Sequence, residues 1–398
     1  MQGYLTREFP GTGGSIKHAP EDFYVEEIPA YLPSGAGEHV YMWIEKRNCS
    51  TLHVAEQLAQ RLKIKPAAIG YAGLKDHRAT TRQWFSVAGV DEAAIESLDL
   101  GPDIELLSIS RHPNKLRLGH LRGNRFRVRI REVKPRSHER ALDIIHVLSH
   151  TGVPNFFGTQ RYGVRGNNPV IGAAILRADF ETAVREIIGT PDSITNPHWS
   201  EAAKAFEEND LERAISTMPR RMRDERRLLQ ALRGGASAKK AVLSMNKNIL
   251  RLYLSAYQAE IFDRQVQMRL DSLDILWPGD IAYIHASGAC FRVDDPAAEQ
   301  ARADAFEISP TGLMPGKKAM LARGQAGILE EALLDKERMD DTHYTALKGL
   351  QLSAERRPLR VNAANITCSA EDSSLNLEFS LPAGSYATSL IREIVKSQ

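Results

Sequence analysis

A chain of 398 residues, 42% hydrophobic and 26% charged, is long enough for two domains with cores of their own. The composition excludes a disordered or fibrous protein, and no apolar run approaches the roughly 18 residues that a bilayer-spanning helix needs. The net charge of +2 hides an asymmetry, because residues 1–170 hold 23 Lys/Arg against 18 Asp/Glu while the remainder holds 29 against 32.

In chain order, residues 1–7 carry charge with no apolar stretch behind it and do not read as a secretory signal. The runs at 23–25 and 40–44 are rich in aromatic and β-branched residues and predict strands. Leu52, Ala55, Leu58, Ala59 and Leu62 recur at helical spacing, with Ser50 or Thr51 as cap and Pro66 as stop. Residues 83–87 predict a strand that leaves the turn containing Asp76. From 124 to 131 the chain alternates strictly, with Asn124, Phe126, Val128 and Ile130 on one face and four arginines on the other. The surrounding stretch, 111–136, holds ten Lys/Arg and one acid, Glu132, a density that fits a polyanion such as nucleic acid. The alternation limits that inference: the arginines point away from Asn124 and Phe126, so some are solvated or paired with acids, and Phe126 reads on spacing alone as core.

Composition shifts after Tyr162. Helical patterns fill 169–233 and include a cationic stretch at Arg220, Arg221, Arg223, Arg226, Arg227 and Arg233, which Gly234-Gly235 ends. A long amphipathic helix is predicted over 248–270, then a hairpin with strands at 281–284 and 290–293. The acid-rich stretch 330–341 reads as a solvated connector or equally as a helix. Strands return at 359–361 and 375–379, followed by a helix from Thr388, and there is no internal repeat.

The motif richest in chemistry is 70–85, where Asp76 lies among Lys75, His77, Arg78 and Arg82. Nearby cations favour the ionised form of an acid, and an ionised carboxylate can act as nucleophile or base. Acids are nevertheless ordinary in turns, so the motif alone does not single Asp76 out. Other chemistries are absent. There is no phosphate-binding GxxxxGK[ST] loop and no GxSxG elbow, and the glycines at 11–14 open no dinucleotide fold. His146 and His150 share a helical face but no further ligand joins them, and Cys49, Cys290 and Cys368 stand far apart, so neither a metal site nor a disulfide framework is expected.

Four more segments accompany Asp76: Lys17-His18-Ala19-Pro20-Glu21-Asp22-Phe23, the run 119–126 containing Gly123-Asn124-Arg125-Phe126, the run 152–163, and 381–388 with Ser385-Tyr386. Together and in this order the five closely resemble the TruD family of tRNA pseudouridine synthases, over nearly the whole chain. The resemblance implies an α+β fold: a pseudouridine-synthase catalytic domain on a mixed, largely antiparallel sheet, formed by 1–161 and 343–398 and interrupted by an α/β insertion domain at 162–342. It implies isomerisation of uridine to pseudouridine, typically at position thirteen of tRNA, with no cofactor or metal, with tRNA as partner, and with no membrane or obligatory protein partner. Asp76 matches the nucleophile, which would attack either C1′ of the ribose or C6 of the base, and Lys17 its basic partner. Phe23 and Tyr386 match substrate-contacting aromatics, Asn124 a base-contacting amide, and Phe126 the stacking aromatic. Tyr386, where phenylalanine is familiar, and Thr80, where an apolar residue is common, depart mildly from the pattern. A catalytically inactive tRNA-binding or chaperone protein on the same fold is the main alternative, and a nuclease based on Asp76 would need further acids or metal ligands that the sequence lacks. The cytoplasm is the expected compartment.

Overall fold

The computed structural model describes residues 3–337 and 339–396. The chain divides into two compact units, Gly3–Val153 with the segment from Val361 onward, and Pro154–Arg360. The changeovers therefore lie at 153/154 and 360/361, against 161/162 and 342/343 in the sequence reading. The C-terminal difference has a clear cause: the strand Glu355–Pro358 pairs antiparallel with Ile308–Met314 and so belongs with the second unit.

The first unit is built on one mixed sheet. Its strands are β1 (Phe23–Pro29), β2 (His39–Arg47), β3 (Gly70–Tyr71), β4 (Thr80–Ala88), β5 (Ile104–His112), β6 (Leu121–Arg131), β7 (Ala364–Glu371) and β8 (Ser374–Pro382). They run in the order β7-β8-β6-β1-β4-β2-β5, with β3 on β4. The β1/β4 pair is parallel and the other pairs are antiparallel, so the α+β fold with a largely antiparallel sheet is as expected.

Three helices bury one face of this sheet: α1 (Thr51–Arg61), α2 (Ser137–Thr151) and α3 (Ala387–Val395). The Ser50 hydroxyl caps α1 by accepting from the His53 N–H. Phe23 and Val25 of β1, Phe126, Val128 and Ile130 of β6, and Leu375, Leu377 and Phe379 of β8 pack with Ile144, Leu148, Leu390 and Ile394 from α2 and α3. Val40, Met42 and Ile44 of β2 and Phe85 and Val87 of β4 pack with Val54 and Leu58 of α1. Alternation puts both clusters on the same sheet face. Between them the cross-strand row Phe379, Phe126, Val25, Thr81, Lys46 passes from apolar to polar.

The opposite face receives the arginines of β6, and they are engaged within the protein. Arg127 stacks 4.0 Å over Tyr24, Arg125 faces Glu26 at 3.7 Å, Arg129 faces Glu371 at 3.5 Å, and Arg131 grips Asp22 at 2.7 Å. Much of the basic density in 111–136 is thus neutralised internally.

The second unit combines helices with a four-stranded sheet ordered Glu355–Pro358, Ile308–Met314, Ile281–Ile284, Cys290–Arg292. The last two form the predicted hairpin. The predicted long helix runs Lys247–Met268 and buries Leu250, Tyr253, Leu254, Tyr257, Ile261 and Phe262. The acid-rich stretch is not a solvated connector: it lies largely in the helix Gly324–Glu337, where Glu330 is buried against Arg356 and Glu337 binds Arg177 and Arg264. Among the described residues no helix is long and apolar enough to cross a membrane.

Candidate active site

Asp76 sits on the loop between β3 and β4, over the polar end of the row that separates the two clusters. Its carboxylate is one-third exposed and accepts a hydrogen bond from the Lys17 ammonium at 2.8 Å. The same ammonium stands 4.0 Å over the ring of Phe23, so charge and aromatic face both fix it.

Lys17 reaches this position because its segment is fastened on both sides. Ser15 exchanges backbone hydrogen bonds with Arg131 at 3.0 and 2.9 Å. Asp22 is buried, accepts from the Ala19 N–H at 2.9 Å, and takes a forked pair from the Arg131 guanidinium. That guanidinium, the strongest influence on it, holds the Asp22 carboxyl below its usual range. Lys17 itself adopts a left-handed backbone with φ 63°, a conformation that costs a non-glycine residue roughly 1 kcal/mol and that the two fastenings sustain.

The loop carrying Asp76 is held from beneath by a buried polar network. The Lys75 ammonium contacts Glu27 at 2.9 Å with both side chains almost wholly buried. Burial, the dominant influence, pushes the Glu27 carboxyl up, and the Lys75 charge opposes it. The Thr51 hydroxyl accepts from the Lys75 N–H at 3.0 Å and donates to Gln83, whose amide donates to the Gly73 carbonyl at 3.0 Å. Lys46, fully buried, donates to the carbonyls of Cys49 and of Asp76 itself, at 2.6 and 2.9 Å. Burial lowers its ammonium to about 8. His77 and Arg78, next to Asp76, are exposed.

The other residues named from the sequence line the floor. Phe23 and Phe126 are both buried and meet edge to face at 6.2 Å, and Phe126 stacks on Phe379 at 5.2 Å. Asn124 lies two residues from Phe126 on the same face, registered against Glu27 on β1 and Leu381 on β8. Its Oδ1 is buried with no hydrogen-bond partner among the described residues. Tyr386 is the N-cap residue of α3, four residues after β8 leaves the sheet beside Gly123, which places it at the Asn124 end of the floor. Lys17, Asp76, Phe23 and Phe126 thus form one chain of contacts, with Asn124 beside it.

The sequence reading singles out neither Glu27 nor Lys46, although a signal is there. Each ends an inward-facing apolar series, Phe23-x-Val25-x-Glu27 and Val40-x-Met42-x-Ile44-x-Lys46, and a charge at such a position marks a buried polar site. Among the described residues no group of His, Cys, Asp and Glu could hold a metal ion.

The arrangement is that of a carboxylate held against a cation beside buried aromatic rings, with one buried amide acceptor that has no partner among the described residues. The sequence matches the family described as tRNA pseudouridine synthase D (TruD) over residues 1–394. It is 51% identical over 397 residues to tRNA pseudouridine synthase D of Syntrophotalea carbinolica and 48% identical to that of Geotalea daltonii, each alignment covering 100% of both chains. It is 36% identical to the Thermus thermophilus protein of the same name, covering 99% of this chain and 92% of that one. A crystal structure assigned to TruD from Methanosarcina mazei superposes with a TM-score of 0.84 at 26% identity, covering 100% of this chain and 97% of that one. Fold and sequence together define a pseudouridine synthase, an isomerase. Within that class the chain belongs to the TruD family of tRNA pseudouridine synthases.

Proposed function

We propose that the protein converts a uridine of tRNA, at position thirteen, to pseudouridine in the cytoplasm, with Asp76 as nucleophile and Lys17 as its positioning cation. The observation that carries this reading is the 2.8 Å contact between Lys17 and Asp76 above Phe23 in a chain of this family. In the reaction the C1′–N1 glycosidic bond breaks and a C1′–C5 bond forms, while C5 loses a proton and N1 gains one, so nothing is added overall. A uridine within folded RNA must first be extruded to reach the Asp76 carboxylate. Phe23 and Phe126 give the base an apolar floor without directional hydrogen bonds, which lets a released uracil turn in its own plane. The Asn124 Oδ1 suits the uracil N3–H as an acceptor. Tyr386, at the rim, closes on the substrate from α3.

Incubation with an unmodified tRNA transcript and chemical mapping of pseudouridine tests the reading. Wild-type protein is expected to form one pseudouridine per tRNA, and Asp76→Asn none. A wild-type protein that forms none on any tRNA rejects the activity, whereas full activity in Asp76→Asn rejects only the assigned nucleophile.

A further inference from the structure

Five large apolar side chains of the first unit stand exposed, Leu32, Leu52, Leu74, Leu118 and Leu142, and three of them gather around the loop that carries Asp76. Leu74 precedes Asp76 by two residues and is 65% exposed. The next residue, Lys75, donates its backbone N–H to Thr51 at 3.0 Å, which brings the adjacent Leu52 alongside. The Gly119 N–H donates to the Ala72 carbonyl at 2.9 Å, which brings Leu118 to the other side. Leu52 and Leu118 line one cleft of about 540 Å³, together with Tyr71, Lys115, Arg117 and one acid, Glu56.

Isolated exposed leucines need no explanation, but a cluster rimmed by charge marks a binding surface. The rim here is cationic. His77, Arg78, Arg117 and Arg122 are exposed, and none has an ion-pair partner among the described residues. Apolar side chains framed by cations match stacked bases framed by phosphates, because a base offers an apolar face within a few ångström of its charged backbone. The cluster also borders the residue that must receive an extruded nucleotide, and apolar side chains that enter a base step are a known way to hold a stack open.

We propose that Leu74 is a wedge. It enters the gap left in the RNA stack when the target uridine turns toward Asp76, while Leu52 and Leu118 cover the neighbouring base and Arg117 meets its phosphate. This rests on the synthase reading, since it presumes a uridine extruded to Asp76. Leu74 lies outside the buried core, so its truncation leaves the protein folded.

The test uses full-length protein and a tRNA transcript with 2-aminopurine beside the modified uridine. Wild-type binding is expected to raise the fluorescence as the neighbour unstacks. Leu74→Ala is expected to bind the tRNA with near wild-type affinity, to give little of that rise, and to slow single-turnover pseudouridine formation by about tenfold or more. Leu74→Met, which keeps length and apolarity, restores both. The wedge is overturned if Leu74→Ala unstacks the probe as fully as wild type, if wild type modifies the tRNA without any rise, or if Leu74→Ala simply loses binding. A wild-type protein that unstacks the probe but forms no pseudouridine, with the rise lost in Leu74→Ala, supports the wedge and rejects the catalytic reading.

Discussion

Lys75 and Asp76 are consecutive, yet one ammonium turns inward to Glu27 and the other side chain turns outward to Lys17. The Asp76 carboxylate therefore inherits its position from the residue before it. Removing one partner of a buried ion pair strands the other charge, at a cost of about 3–5 kcal/mol. Lys75→Met is expected to lose that much in urea unfolding, whereas Lys75→Met combined with Glu27→Gln recovers most of it. Lys46 adds a pH signature. Its ammonium is lowered to about 8 in the fold and titrates near 10.5 when unfolded, so between those values the unfolded chain binds the extra proton and stability rises with pH. Unfolding curves at pH 7.5 and 9.5 are expected to show the margin of wild type over Lys46→Met widening at the higher pH.

At the scale of elements, the segment 15–22 works as a strap whose buckle is Asp22 on Arg131. Asp22→Ala removes charge-assisted hydrogen bonds worth about 2 kcal/mol and frees Lys17 from its left-handed turn. The expected result is a lower kcat with tRNA binding retained, measured by single-turnover kinetics beside a binding titration. Because the Asp22 carboxyl is depressed, its contribution is fully present above the ordinary carboxylate range and fades as the pH falls through and below it. Much of this was legible in the sequence. The alternation of 124–131 placed Asn124 and Phe126 on one face and the arginines on the other, as β6 shows. What the sequence hid was partnership: the reading leaves the strand arginines solvated or paired with unnamed acids, and the acid that meets Arg131, Asp22, lies 109 residues away in the chain. Strand β5 lacks a clean period because its 104–112 run carries half-buried residues on both faces. Strand β7 escapes a reading of the sequence because its residues are mostly exposed, so no apolar series marks it. The acids of the helix Gly324–Glu337 leave a solvated connector open in the sequence for the same reason: their partners, Arg177, Arg264 and Arg356, are distant in sequence.

For the whole molecule, the engaged arginines of β6 shift attention to cations that remain exposed elsewhere. In the second unit Arg226 donates to the carbonyls of Ile215 and Met218 and Arg233 faces Glu212, while Arg220, Arg221, Arg223 and Arg227 stand exposed. If those four meet phosphates, replacing them with alanine weakens tRNA binding and flattens its dependence on log salt by about 0.7–0.9 for each phosphate no longer neutralised. Unchanged affinity and slope across a salt series would remove the second unit from the RNA-binding surface.

The order of strands in the large sheet also sets an order in time. β8 lies between β6 and β7 and supplies Phe379 and Leu381 to the floor, and Glu393 of α3 takes the backbone N–H groups of Leu5 and Thr6 at 3.1 and 3.0 Å. A ribosome delivers the chain from its N-terminus, so the first unit's opening strands wait unclosed while all of Pro154–Arg360 is made. The second unit can complete its core before the first. The rings of Phe23 and Phe126 gain their packing partners Phe379, Leu381, Leu390 and Ile394 only from residues that emerge after Arg360, so a chain released early carries every residue assigned to the chemistry except Tyr386 yet leaves its aromatic floor unsupported.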